Sequence, residues 1–234
     1  SLQCVLKMNY ESDEPAQVFV GKNDTEGYGN GPDQLSNPSS LDTDTKGNVY
    51  VTDYWNDRVQ IFDPAGKLLQ SISTIRPAKV IVHKITNEIY VFSFGLNGIT
   101  AQLQINTKYN PAVVEKNLSI FSAYPEAKNL SKEPFPLDRI STASQIALDS
   151  WSKTPAIWLA QTRREQTQMD IAWAGRGNNA GFTSHLDGII KLEKIDSKWQ
   201  KTDNFGERSA KKIVRPKPPA WNIQQLYFNP KNKK

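Results

Sequence analysis

Cysteine is nearly missing from this chain. Cys4 stands alone among 234 residues, which excludes a disulfide framework and every cysteine-rich zinc or haem signature. Histidine is almost as scarce, with only His83 and His185, so an all-histidine metal site cannot be built from this chain alone. No apolar run approaches the roughly 18 residues that a membrane-spanning helix needs. No positively charged leader followed by an apolar stretch is present, and the chain starts at Ser1. The reading is a mature form or a piece, any signal peptide having been removed. Low-complexity tracts are absent, and an aromatic content of 10% argues against wholesale disorder. Neither a P-loop nor a G-x-S-x-G motif occurs, and the glycines of Gly175-Arg176-Gly177-Asn178-Asn179-Ala180-Gly181 open no helix.

The charge that is there nearly cancels: 29 basic against 24 acidic residues leave +5. Much of the surplus sits at the end, in Lys211, Lys212, Arg215, Lys217, Lys231, Lys233 and Lys234, with no acid after Ser209. With Pro216, Pro218 and Pro219 in the same stretch, this reads as a solvated connector. The aromatic-interleaved basic motifs of single-strand binders are missing. Three Asn-X-Ser/Thr triplets, at Asn23, Asn117 and Asn129, tilt the expected location to the outside of the cytoplasm, periplasmic or secreted.

The strongest signal runs from Gly27 to Leu69. Ser40-Leu41-Asp42-Thr43 precedes a turn at Asp44-Thr45-Lys46-Gly47-Asn48, and Val49-Tyr50-Val51-Thr52-Asp53 follows as a strand. Tyr54-Trp55-Asn56-Asp57 turns into Arg58-Val59-Gln60-Ile61-Phe62. Asp63-Pro64-Ala65-Gly66-Lys67 turns again, into Leu68-Leu69-Gln70-Ser71-Ile72. Four strands of about five residues joined by tight turns predict one antiparallel meander. The pattern recurs in weaker form. Lys79–His83 leads into Glu88–Phe92, Gln145–Asp149 leads into Ala156–Ala160, and Gln225–Asn229 leads into the final residues. Repeats of about 40 residues with four strands each are the signature of a β-propeller. The longer downstream intervals predict inserted loops over Asn106–Asp138 and Thr162–Leu186. A lone meander leaves both sheet faces bare. Burying Val49, Val51, Ile61, Ile89, Val91, Ile157 and Leu159 therefore requires neighbouring meanders, at about 1.5–3 kcal/mol per aliphatic side chain.

Gly29-Asn30-Gly31-Pro32-Asp33-Gln34-Leu35, Gly47-Asn48-Val49-Tyr50-Val51-Thr52-Asp53 and Asn56-Asp57-Arg58-Val59-Gln60-Ile61-Phe62 occur in that order. Together they resemble an NHL repeat over about 42 residues. Asp42 departs from the motif, which has a small or apolar residue there, and later repeats lose the Gly-Asn turn and the N-x-R segment. The resemblance implies an all-β fold: an NHL-type β-propeller or part of one, with three to four blades and long inter-strand insertions. On this reading residues 1–22 give outer strands of an incomplete blade and 36–75 the best-matching blade. Residues 76–122 give a second blade, 140–205 a third with an insertion, and 221–234 the start of another. The incomplete patterns at both ends predict a fragment whose remaining blades lie elsewhere.

Asp42 and Asp44 flank a Gly turn with oxygen ligands of the kind calcium accepts, although no distal Glu completes an EF-hand loop. The resemblance implies two metal chemistries. Some NHL propellers are lyases with a zinc held by three histidines, for which His83 is the nearest residue here. A lactone-hydrolysing propeller uses acids and an Asn around a channel calcium. Asp44, Asp149 and Asn229 occupy equivalent repeat positions for that role, and a turn acid bonded to backbone N–H groups accounts for each of them equally well. For contact with a partner, the loop residues Trp55, Asn56, Arg58, Trp173 and Arg176 stand out.

The function expected is a non-catalytic scaffold that binds a protein partner or assembles into a larger complex, without a cofactor. The alternatives are a propeller enzyme with calcium or zinc in its channel and an RNA-binding face. Against the latter, Lys46, Arg58 and Lys67 are balanced by Asp42, Asp44, Asp53, Asp57 and Asp63.

Overall fold

A computed structural model describes residues 3–24, 27–96, 114–136, 143–161, 188–205 and 208. Contacts divide the chain into two compact units, Ser1–Phe135 with Ser141–Ala143, and Pro136–Ile140 with Ser144–Lys234. The first unit opens with a hairpin, β1 (Gln3–Lys7) and β2 (Gln17–Lys22). A four-stranded meander follows: β3 (Pro38–Thr43), β4 (Val49–Asp53), β5 (Arg58–Phe62) and β6 (Leu68–Ser73). A second comprises β7 (Pro77–Val82), β8 (Ile89–Ser93), β9 (Asn117–Phe121) and β10 (Asn129–Pro134). The other unit holds a third, β11 (Ile146–Leu148), β12 (Ile157–Gln161), β13 (Gly188–Ile195) and β14 (Lys198–Asn204). Neighbouring strands pair antiparallel in every sheet. The fold is all-β, in sheets of the kind that form propeller blades.

Turn chemistry explains the meanders. Asp44 Oδ1 accepts the amides of Lys46 (2.8 Å) and Asn48 (2.9 Å), while Gly47 N–H donates to the Asp44 carbonyl. Asp63 repeats this with Ala65 and Lys67, both at 2.9 Å, and with Gly66. Gly47 and Gly66 have φ of +83° and +89°, the left-handed region that only glycine enters without strain. His83 closes the equivalent β7–β8 turn, where Asn87 takes the left-handed position at φ 56°.

Alternation along the strands aims the apolar residues at both faces of the first meander. On one face, Val51 and Phe62 pack with Val5 and Val20 of the hairpin and with Leu35. On the other, Tyr50, Val59, Ile61 and Ile72 meet Val80, Val82, Ile89, Val91 and Phe121 of the second meander. Val51, Ile61, Ile89 and Val91 are fully buried, as are Ile157 and Leu159 in the third meander; Val49 is half-buried.

The spacing of the repeat is written in hydrogen bonds between sheets. β7 lies at an edge of its sheet, and an edge strand needs partners for its outward N–H and C=O groups. Side chains of β3 supply them: Ser39 Oγ donates to Ala78 O (2.9 Å), Ser40 Oγ bonds the Val80 backbone (3.4 Å), and Asp42 Oδ2 accepts from Val82 N (2.7 Å). The buried Tyr54 hydroxyl donates to Phe94 O (3.1 Å) and accepts from Leu96 N (3.3 Å). These bonds join residues 39 to 42 apart.

One expectation changes. The stretch 106–138, read as an insert, contains β9 and β10, so the second meander runs on to Pro134, past residue 122. The β1–β2 hairpin of the expected outer strands is a two-stranded sheet of its own that packs through Val5 and Val20 on the first meander, whereas 162–186 and 221–234 lie outside the described residues.

Candidate functional site

Of the five residues considered for metal binding, Asp42, Asp44 and His83 belong to the first unit, and each is engaged by protein groups. Asp42 has Val82 N and Thr43 N on its oxygens and an ion pair to Lys84 at 2.8 Å. Lys84 also reaches the Thr43 carbonyl. The extra acid of the repeat is therefore a staple between two sheets. The oxygens of Asp44 are taken up by its turn, by Asn48 Nδ2 (2.7 Å) and by the Tyr50 hydroxyl (3.2 Å). Burial, with Asp44 adjacent, pushes the Tyr50 phenol well above its usual range, and Glu88 plays the same part for Tyr90. His83 is buried, and its Nδ1 faces the amide (3.2 Å) and hydroxyl (3.1 Å) of Thr86. Asp149 belongs to the other unit, where it accepts from Ser152 Oγ (2.6 Å) and Trp151 N (3.3 Å). Asn229 lies outside the described residues. Among the described residues no group of three or more His, Cys, Asp or Glu converges.

Asn56 and Arg58 belong to an internal clamp. The fully buried Asp53 accepts from Arg58 Nε (2.7 Å), Asn56 Nδ2 (2.8 Å) and Ser36 N (2.6 Å). Arg58 Nη1 donates to Asn30 O (2.9 Å), and Nη2 donates to Gly31 O (2.9 Å) and Gln34 O (3.1 Å). The buried Gln60, with its amide oxygen turned to the guanidinium, accepts from Nη2 at 2.6 Å. A planar five-donor group suits this geometry. The clamp ties Gly29–Gln34 to the β4–β5 hairpin and engages the Asn56 amide nitrogen and the Arg58 guanidinium.

Trp55 is the contact candidate left on the surface. Its ring is half-exposed in the Tyr54–Asn56 turn, edge-on to Tyr54 at 5.2 Å and covered on one side by Arg76, whose guanidinium lies 4.5 Å from the ring centre. Arg76 is fixed in turn by Asp57: its amide donates to Oδ1 (2.8 Å) and its guanidinium pairs with the same carboxylate at 3.5 Å. Both residues have left-handed φ, 46° and 53°, an arrangement that costs about 1–2 kcal/mol per residue and is held by these bonds. Trp173 and Arg176 lie outside the described residues.

Beside this platform runs an open groove between the two meanders of the first unit. One part, of about 450 Å³, is lined by Asn56, Asp57, Ser73, Thr74, Ile75, Ser119, Phe121, Asn129 and Lys132. An adjoining part of about 320 Å³ shares Thr74, Ile75 and Lys132 and adds Arg76, Glu115 and Asn117 among others. Ile75 is 64% exposed, and Lys132 is exposed on the outermost strand β10. Sequence reading missed Ile75, Arg76 and Lys132. The available signal was the pre-proline pair Asn37-Pro38 and Arg76-Pro77, where both leading residues are left-handed and turn the chain between sheets.

Stacked four-stranded meanders, cross-linked at a spacing of about 40 residues, define a repeat protein of the blade-forming class. The model of the NHL repeat family matches residues 35–62, the span holding β4, β5 and the Asp53 clamp. No curated protein matches. Among solved structures the chain is similar to a protein of unknown function from Bacteroides caccae, with TM-score 0.41 and 10% identity. That alignment covers 73% of this chain and 49% of the other, so this chain spans about half its length. A likeness of this degree carries no functional argument. Among the described residues no helix is long and apolar enough to cross a membrane.

Proposed function

We propose that this chain is a non-catalytic, protein-binding platform that works outside the cytoplasm, and that the end of the first unit carrying Trp55 and Ile75 is its contact face. One observation carries the reading: an exposed aliphatic and a half-exposed Trp, both held on left-handed turns braced by Arg76 and Asp57, border an open groove. Rigid aromatic and Arg anchors beside an exposed apolar residue are what partner-binding surfaces concentrate. The acids considered for metal binding, by contrast, are committed to turns and to a sheet-to-sheet staple.

A photo-activatable side chain placed at position 55 or 75, in the organism of origin, tests this. The expected result is a discrete covalent adduct from either position and none from Ile85, equally apolar and 53% exposed at the opposite strand ends. Equal labelling from all three positions would defeat the platform reading. Stoichiometric metal in the purified protein, lost on chelation together with a hydrolytic or lyase activity, would favour the channel-enzyme alternative.

A further inference from the structure

We infer that the groove between the β6–β7 turn and strands β9–β10 takes an extended peptide segment carrying one acidic side chain next to an apolar one, with Lys132 as the residue that reads the acid. This rests on the platform reading and gives it a partner chemistry. The groove consists of two adjoining depressions that share Thr74, Ile75 and Lys132, and such an open surface suits an extended chain. Its short hydroxyl and amide side chains, Ser73, Thr74, Asn117 and Asn129, are donors and acceptors of the size that main-chain amides need.

Charge sets the specificity. Among the described residues four ionic groups line the groove. Arg76 and Asp57 neutralise each other at 3.5 Å. Glu115 accepts from Asn117 Nδ2 at 3.3 Å. Among the described residues Lys132 is the cation of this lining without an ion pair, exposed at the point common to both depressions, while Glu115 lines only the smaller one. A ligand that leaves this ammonium unpaired forfeits the attraction, whereas a carboxylate gains it and steers association. Ile75, which lines both depressions together with Lys132 and is 64% exposed, supplies the apolar contact. A polyanion such as RNA fits poorly, because Lys132 offers a single unpaired cation and Glu115 lines the adjoining depression.

The test is to pan a library of random decapeptides on the whole chain and titrate the recovered peptides by fluorescence polarisation. The expected peptides contain one Asp or Glu beside an aliphatic or aromatic residue. They lose about tenfold or more in affinity on Lys132→Glu or Ile75→Asp, and are unaffected by Lys46→Glu in the β3–β4 turn at the other strand ends. Exchanging the acid of the peptide for Lys should restore binding to Lys132→Glu. Recovered peptides without an acidic position, or equal binding by wild type and Lys132→Glu, overturn the inference. So does the recovery of no peptide. If the adduct at position 75 persists in Lys132→Glu, the platform stands and the acidic-peptide reading falls. If neither adduct nor peptide is obtained, both fall. Far-UV circular dichroism and melting of Lys132→Glu, exposed on an edge strand, confirm that the variant is folded.

Discussion

Replacing Asp53 by Ala removes the one carboxylate that anchors the β4–β5 hairpin to the Gly29–Gln34 loop. Three donors lose this carboxylate at once: the Arg58 guanidinium, the Asn56 amide, which keeps Gly29 O, and the Ser36 N–H. Asp53 is fully buried and the Arg58 side chain is 17% exposed. Breaking a buried pair from one side costs about 3–5 kcal/mol. Arg58 keeps three carbonyls and Gln60, so the lower end of that range applies. For a chain of this size a loss of about 3 kcal/mol lowers the melting point by roughly 6–12 °C. Urea unfolding followed by circular dichroism reads the difference directly. The double variant Asp53→Ala/Arg58→Ala should be about as stable as the worse of the two singles, because the second change removes a charge already without its partner. A loss below about 1 kcal/mol for Asp53→Ala, or full additivity in the double variant, would refute the clamp as the fastening of this loop.

Gly66→Ala should cost clearly more than Gly47→Ala, both read by thermal melting. Each pays about 1 kcal/mol for its left-handed φ, but a Cβ at Gly66 would lie 2.8 Å from Phe19 O, whereas at Gly47 the nearest atom is Pro64 Cγ at 3.4 Å. In an ultraviolet pH titration, the phenols of Tyr50 and Tyr90 should stay protonated after the exposed tyrosines have ionised. Their folded values are raised, so the stability they contribute is present below the unfolded value of about 10 and is lost as the pH climbs above it. Burial on β7 pushes the Lys79 ammonium down, partly countered by Asp42. Lys79→Met should therefore raise stability by about 1 kcal/mol in a denaturant melt, and an equal loss would contradict this.

The strands that alternate Val, Ile and Tyr between D-x-x-G turns were readable from the sequence because each element carries its own local pattern. Strand β10 was not. Asn129-Leu130-Ser131-Lys132-Glu133-Pro134 is an edge strand, exposed on most positions, so no buried face imprints an alternation, and pairing with β9 alone defines it. Asp42 was open to misreading for another reason. Next to Asp44 it looks like half of a ligand pair, and its partners Val82 and Lys84 lie 40 and 42 residues away. Asn56 and Arg58 stand in an exposed-looking turn, yet apart from Asp53 and Gln60 their acceptors lie 24 to 28 residues upstream. The groove draws on residues from Asn56 to Lys132 and has no local signature at all. Local chemistry specified the meanders; the long-range staples between them became legible only with the strands in place.

The two meanders of the first unit are fastened side by side through β3 and the edge of β7. Amide hydrogen exchange of Asp42→Ala against wild type tests that fastening most directly. The prediction is faster exchange at Val82, whose N–H has Asp42 Oδ2 as its acceptor at 2.7 Å, with the β4–β5 amides unchanged. Exchange at Val82 equal in the two proteins would mean that the sheets do not meet in this way.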